Sequence, residues 1–174
     1  MAGNNGRTEN LKDIAVTFVV GFKQCDNGDV EVAHCFASSH AKAIQESPQL
    51  LAGAALNVTL SSAKSTSNMM VLLSRSQGIN PSEVAAMTDC IEELSDSVDE
   101  LGKSIKEMGQ LKGTTFNLVI NDIQTWVSAA LTDESTCTDG FARKSMNGNL
   151  KITVKDRIVN VAQLTSNALA TNLP

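Results

Sequence analysis

Apolar residues recur along most of the chain at alternating spacings of three and four, the period of an α-helix that buries one face. The clearest run spans residues 82–109, where Val84, Met87, Ile91, Leu94, Val98, Leu101, Ile105 and Met108 form one narrow seam. Such a seam suits helices packed at small crossing angles. An earlier helix opens at Pro48 behind a capping Ser47 and runs to about Ser76, with Leu51, Ala54, Ala55, Val58, Met69, Met70 and Leu73 as its apolar positions. Gly78-Ile79-Asn80-Pro81 interrupts the chain, and Asn80 or Ser82 caps the helix that follows. Residues 114–133 place Phe116, Val119, Ile120, Ile123, Trp126, Val127 and Ala130 on one face. The polar stretch from about Ser135 to Asn149 reads as a loop. Residues 150–172 supply a last helix through Leu150, Val154, Ile158, Val161, Leu164, Ala168 and Leu169.

Two shorter apolar segments precede these four. Residues 9–24 carry Leu11, Ile14, Ala15, Phe18 and Val19 on one side, Asp26-Asn27-Gly28-Asp29 is a turn signal, and residues 30–45 read as a second short helix. The expected architecture is all-α: an up-down-up-down four-helix bundle with an N-terminal helical hairpin. Residues 1–8, polar and rich in Gly and Asn, are expected to be a disordered start. Residues 9–174 then make a single domain, with the hairpin at 9–45 and the bundle at 47–174. No internal repeat or low-complexity tract divides it.

Composition narrows the chemistry. Aromatic residues are 3% of the 174, with five Phe, one Trp and no Tyr. The core must therefore come from Leu, Ile, Val, Ala and Met, which favours packed helices over a β-sandwich. With two His and four Cys, a histidine-dependent catalyst or a multi-ligand zinc site is not expected, and no cofactor is implied. The Met residues at 69, 70, 87 and 108 sit at core positions and fill gaps. No GxGxxG or phosphate-binding loop occurs. A net charge of −5 argues against nucleic acid as a partner. No stretch approaches the 18 apolar residues of a membrane span.

The four Cys, at 25, 35, 90 and 137, allow three pairings, and no CxxC occurs. Four buried free thiols are the alternative to disulfides. Pairing nearest neighbours would close one short and one long loop, for stabilisations of roughly 3 and 4 kcal/mol by loop entropy. A bond between Cys90 and Cys137 would also tie the second and third bundle helices together. Disulfides imply an oxidising compartment. The start Met-Ala-Gly-Asn-Asn-Gly-Arg nevertheless lacks the ordered regions of a signal peptide. The expectation is a mature form with a replacement start, or a protein that is not secreted. One sequon, Asn57-Val58-Thr59, lies inside a predicted helix, which argues against glycosylation of Asn57.

Charge is unevenly placed. Glu83, Asp89, Glu92, Glu93, Asp96, Asp99 and Glu100 follow one another with no base between them. At about 100° per residue, Glu92, Asp96 and Asp99 share one stripe, away from the apolar seam. Like charges at i, i+4 repel by a few tenths of a kcal/mol. A solvated face gains nothing from this stacking, so a basic partner stands beside the plain reading of a solvated surface. An exposed stripe on a convex helix offers no cleft in which two carboxylates could divide acid and base roles, so an enzyme is not expected.

Several long segments resemble the plant invertase and pectin methylesterase inhibitor family. They are Asp89-Cys90-Ile91-Glu92-Glu93-Leu94 with Val98-Asp99-Glu100-Leu101, the run from Gln124 to Thr132, Thr136-Cys137-Thr138-Asp139-Gly140-Phe141, and the run from Asn160 to Leu169. Ser47-Pro48-Gln49-Leu50-Leu51 and Leu60-Ser61-Ser62-Ala63-Lys64 also fit, so the resemblance covers nearly all of residues 22–173. It implies a secreted protein of the apoplast and cell wall, with disulfides Cys25–Cys35 and Cys90–Cys137. One departure concerns the hairpin: the family's Tyr-Pro pair before the second Cys is replaced by Asp29-Val30-Glu31-Val32-Ala33-His34.

The resemblance also implies a partner. Esterase-inhibiting members present acids two, six and nine residues after the third Cys, a Thr just before the fourth and an Asp two after it. This chain has Glu92, Asp96, Asp99, Thr136 and Asp139 there. Invertase-inhibiting members carry a Pro-Lys-Phe element, where this chain reads Gln110-Leu111-Lys112-Gly113. The expected function is therefore inhibition of a plant pectin methylesterase, by blocking its active-site cleft in a reversible one-to-one complex. The alternatives are inhibition of acid invertase, or a bundle like the autoinhibitory pro-region of a pectin methylesterase. For the last, no basic processing site and no catalytic domain follow in this sequence.

Overall fold

The structure, a computed structural model, describes residues 47–111, 115–142 and 148–171. The expected hairpin at 9–45 and its Cys25–Cys35 bond lie outside the described residues. Four α-helices follow one another: α1 Pro48–Ser74, α2 Pro81–Met108, α3 Phe116–Gly140 and α4 Asn149–Ala170. Each packs on its neighbour in the chain, and α1 closes the ring against α4.

The chain marks its own helix ends. Ser47 caps α1, its Oγ accepting from the Leu50 amide at 3.3 Å, with Pro48 at the first helical position. Asn80, rather than Ser82, caps α2 through a reciprocal box: Asn80 Oδ1 accepts from the Glu83 amide at 2.9 Å, and Glu83 Oε2 accepts from the Asn80 amide at 3.2 Å. Gly78, at φ 85°, turns the chain between α1 and α2 in a conformation that side chains rarely adopt. Removing the box's anchor, Asn80→Ala, is expected to destabilise the bundle by about 1 kcal/mol in thermal unfolding; Ser82→Ala, outside the box, should leave the midpoint within error.

The alternation of helix direction is visible in the core. The start of α1 (Leu51, Leu56, Val58) meets the end of α2 (Leu101), the first half of α3 (Val119, Ile123, Val127) and the end of α4 (Val161, Ala168). A second cluster joins Met70, Met87, Cys90, Leu94, Cys137, Phe141, Val154 and Ile158 at the other end. This is the up-down-up-down bundle.

The line of deepest burial on α2 differs from the apolar seam. The buried positions are Glu83, Met87, Cys90, Leu94, Ser97, Leu101 and Ser104, with Ala86, while Ile91, Val98 and Ile105 are half-buried beside them. Their spacing of four and three is still that of a bundle helix, but every second member is Cys, Ser or Glu. Small side chains let the α2 and α3 backbones come close, with the Cα atoms of Cys90 and Cys137 4.6 Å apart, and the bulkier branched residues fill the flank.

Candidate functional site

The end of α3 corrects the sequence reading. Thr136, Cys137 and Asp139 lie on its last turns, not on a loop, because the helix runs to Gly140 rather than stopping near residue 133. The stretch is polar, yet its polarity is satisfied inside the helix. The hydroxyls of Ser135, Thr136 and Thr138 donate to the carbonyls of Leu131, Thr132 and Glu134 at 2.8, 3.0 and 3.0 Å. Burial continues as well: Val127, Ala130, Glu134, Cys137 and Phe141 are all buried, at spacings of three and four. That periodicity was present in the sequence and was masked by the charge of Glu134 and the run of hydroxyls.

Cys90 and Cys137 are joined by a disulfide between α2 and α3. Over it lies a groove of about 440 Å³ whose walls include Asp89, Glu92 and Glu93 of α2, and Thr136 and Asp139 of α3. Three of the five sequence candidates, Glu92, Thr136 and Asp139, therefore line one depression. Asp96 and Asp99 do not; they continue along α2 beyond it. All five side chains are exposed. Asn57, the sequon residue, is exposed in mid-α1, its Nδ2 donating to the Gly53 carbonyl at 2.8 Å.

The face is strongly anionic, and the half-buried carboxyls in it report this. Glu93 holds its proton more tightly than an ordinary glutamate, first because burial disfavours its charged form and then because Asp133, Asp96, Glu92 and Asp89 surround it. Further along, the Glu100 and Asp133 carboxyls interact across α2 and α3, and Glu100 is pushed up to about 7 first by burial and then by Asp133. Behind them Glu134 is buried, with Ser97 Oγ and Thr165 Oγ1 each 2.8 Å from its Oε1. The sequence reading missed these three acids as a group. Asp133 closes the predicted helix 114–133 and Glu134 falls just beyond it, and only the continued burial period singles out Glu134. The Lys103 ammonium lies 4.4 Å over the Trp126 ring at the far margin of the face.

The arrangement places exposed acids on two helices that a disulfide ties together. The model of the plant invertase/pectin methylesterase inhibitor family matches residues 24–171. The chain belongs to this family. Among its relatives, the 21 kDa protein of Daucus carota is 46% identical over 136 residues, spanning 76% of this chain and 70% of that protein. Pectinesterase inhibitor 10 of Arabidopsis thaliana is also 46% identical over 136 residues, but the match spans only 43% of its length. A crystal structure of a mutant form of a pectin methylesterase inhibitor from Arabidopsis superposes with a TM-score of 0.64 at 20% identity, covering 80% of this chain and 87% of that one. It shares the fold. The family is one of inhibitors, not of enzymes, and no helix among the described residues is long and apolar enough to cross a membrane.

Proposed function

We propose that the chain is a protein inhibitor of plant pectin methylesterase and that it occupies the enzyme's active-site cleft in a reversible one-to-one complex. The observation that carries this reading is the groove over Cys90–Cys137, where Glu92, Thr136 and Asp139 converge from two helices, with Asp96 and Asp99 extending the same exposed acidic face. In this role Glu92, Asp96, Asp99 and Asp139 accept charge-assisted hydrogen bonds from basic and amide groups around the cleft. The Thr136 hydroxyl, whose proton is directed to the Thr132 carbonyl, accepts a further bond. Complementary charge speeds encounter, and pairs that become desolvated slow release. No covalent step is required.

The disulfide supports action outside the cell, in the apoplast or wall, since such bonds persist in oxidising compartments. The family description also names invertase, and the two targets separate in one assay. Purified pectin methylesterase and acid invertase are titrated side by side with the protein. Esterase activity is expected to fall to completion at one equivalent, with a matching shift in size exclusion, while invertase is unaffected. Inhibition of invertase alone would overturn the assignment.

A further inference from the structure

Three carboxyl oxygens among the described residues are buried without a hydrogen-bond partner: Glu134 Oε2, Glu100 Oε2 and Asp133 Oδ2. They belong to one cluster where α2, α3 and α4 meet. An ionised carboxylate has acceptors only, so if Glu100 and Asp133 were both ionised, Glu100 Oε2 and Asp133 Oδ2 would be two buried anionic oxygens with no donor. One proton shared by the two carboxyls supplies the missing donor. At Glu134 the Ser97 and Thr165 bonds to Oε1 favour the ionised form, but burial and the donorless Oε2 outweigh them. Thr165 Oγ1 lies 2.8 Å from Glu134 Oε1 and 3.1 Å from the Val161 carbonyl, and it has one proton for two acceptors. If Glu134 is neutral, its own proton sits on Oε1 and donates to Thr165 Oγ1. Thr165 then donates to Val161, and Ser97 donates to Oε1. Every polar hydrogen has a target, and the unpartnered Oε2 is a neutral carbonyl oxygen. If Glu134 is ionised, Oε2 shares an anionic charge with no donor, in a side chain with no exposed surface.

We propose that the folded bundle holds two protons in this cluster, one on Glu134 and one shared by Glu100 and Asp133, so that the packing of α2, α3 and α4 is tightest in acid and loosens toward neutrality. The proposal concerns the bundle itself and stands whether or not the exposed face binds an esterase. The charges that face the cluster lie on α2 and α3, and Glu93 is one of them, close enough to Asp133 for the two carboxylates to repel. Asp96 favours the protonated forms of the pair, and Lys103 opposes that at Glu100; Asp133 and Glu100 favour the neutral form of Glu134. α1 carries one charged residue, the exposed Lys64. The charges of α4 (Lys151, Lys155, Asp156 and Arg157) all precede Thr165 by two turns or more. Burial is the first cause at all three carboxyls, and it holds Glu134 and Glu100 near 7 against an ordinary 4.5.

The sign follows from proton counting. Below about pH 4.5 folded and unfolded chains both carry these protons and the cluster adds no pH dependence. Between about 4.5 and 7 the folded chain keeps them and the unfolded chain releases them to water. Each proton then raises the unfolding constant by about tenfold per pH unit. Above about 7 the effect is complete and constant. Equilibrium unfolding from pH 4 to 8 tests this against two variants. Glu134→Gln removes one proton site. Glu100→Gln removes the other, and its amide can donate to Asp133 in place of the proton. Each variant is expected to release about one proton fewer on unfolding between pH 5 and 6.5, and to approach or exceed the parent's stability at neutrality. Parent-like slopes in both would overturn the proposal. Carboxyl-carbon NMR of the unaltered protein reads the same sites without substitution. Two side-chain carboxyls titrating near neutrality are expected, and midpoints all below about 5.5 would overturn it.

Discussion

Glu92→Lys combined with Asp139→Lys is expected to weaken inhibition of a pectin methylesterase by about two orders of magnitude or more, while circular dichroism shows unchanged helix content. Both side chains are exposed at the groove, so neither supports the core. Losing one partner of a desolvated charge pair costs about 2–5 kcal/mol, or roughly thirty-fold to several thousand-fold in affinity, and reversal adds repulsion. Asp139 makes the argument sharper. It lies in the last turn of α3, where the negative end of the helix dipole disfavours an acid by a few tenths of a kcal/mol and favours a base. On fold stability alone, lysine there is neutral or slightly stabilising. A variant that is at least as stable as the parent and yet fails to inhibit assigns Asp139 to recognition. Inhibition by the parent should also weaken as salt is raised, because exposed charges are screened within about 10 Å at 0.1 M. Undiminished inhibition by the doubly reversed protein would remove this face from the mechanism.

How much of this was legible depends on the kind of residue. The four helices, their order and the cap at Ser47 follow from apolar periodicity and from Ser and Pro at the expected positions; for α2 the sequence left Asn80 and Ser82 open, and the reciprocal bonds with Glu83 select Asn80. Periodicity failed wherever a buried position is not apolar. On α2 the eye follows Ile91, Val98 and Ile105, and passes over Cys90, Ser97 and Ser104, which are the more deeply buried. Small polar residues score as surface, but a close helix pair needs them. On α3 a glutamate and a run of hydroxyls resemble a loop, and only tertiary context shows Glu134 Oε1 bonded by Ser97 and Thr165. The acidic stripe was legible because α2 displays it in one dimension. The groove was not, since its second wall is on α3, some 45 residues away, and its position depends on where that helix ends. Glu100 and Asp133 stayed invisible for the same reason: each looks like a solvated acid until the two helices are placed side by side.

The second large effect is on stability. Cys90→Ala with Cys137→Ala is expected to destabilise the protein by roughly 4 kcal/mol, the loop-entropy value for a cross-link spanning the observed separation of 47 residues. Against a total of about 5–15 kcal/mol for a domain, that is between about a quarter and most of the stability. The mechanism can be read from urea titrations of the parent and this variant. If the bond acts by restricting the unfolded chain, its removal lets that chain expand, so the denaturant slope rises as the midpoint falls. A fall in midpoint at constant slope would instead locate the loss in native packing around these two buried side chains. The last turn of α3 has other supports: buried Phe141 and the hydroxyl–carbonyl bonds of Ser135, Thr136 and Thr138 hold it helical. Thr136 and Asp139 therefore keep their place opposite Glu92 while the variant is folded. Its inhibition of the esterase, measured well below its unfolding temperature, should fall by less than about tenfold, and a greater loss would mean that the disulfide positions the groove as well as stapling the chain.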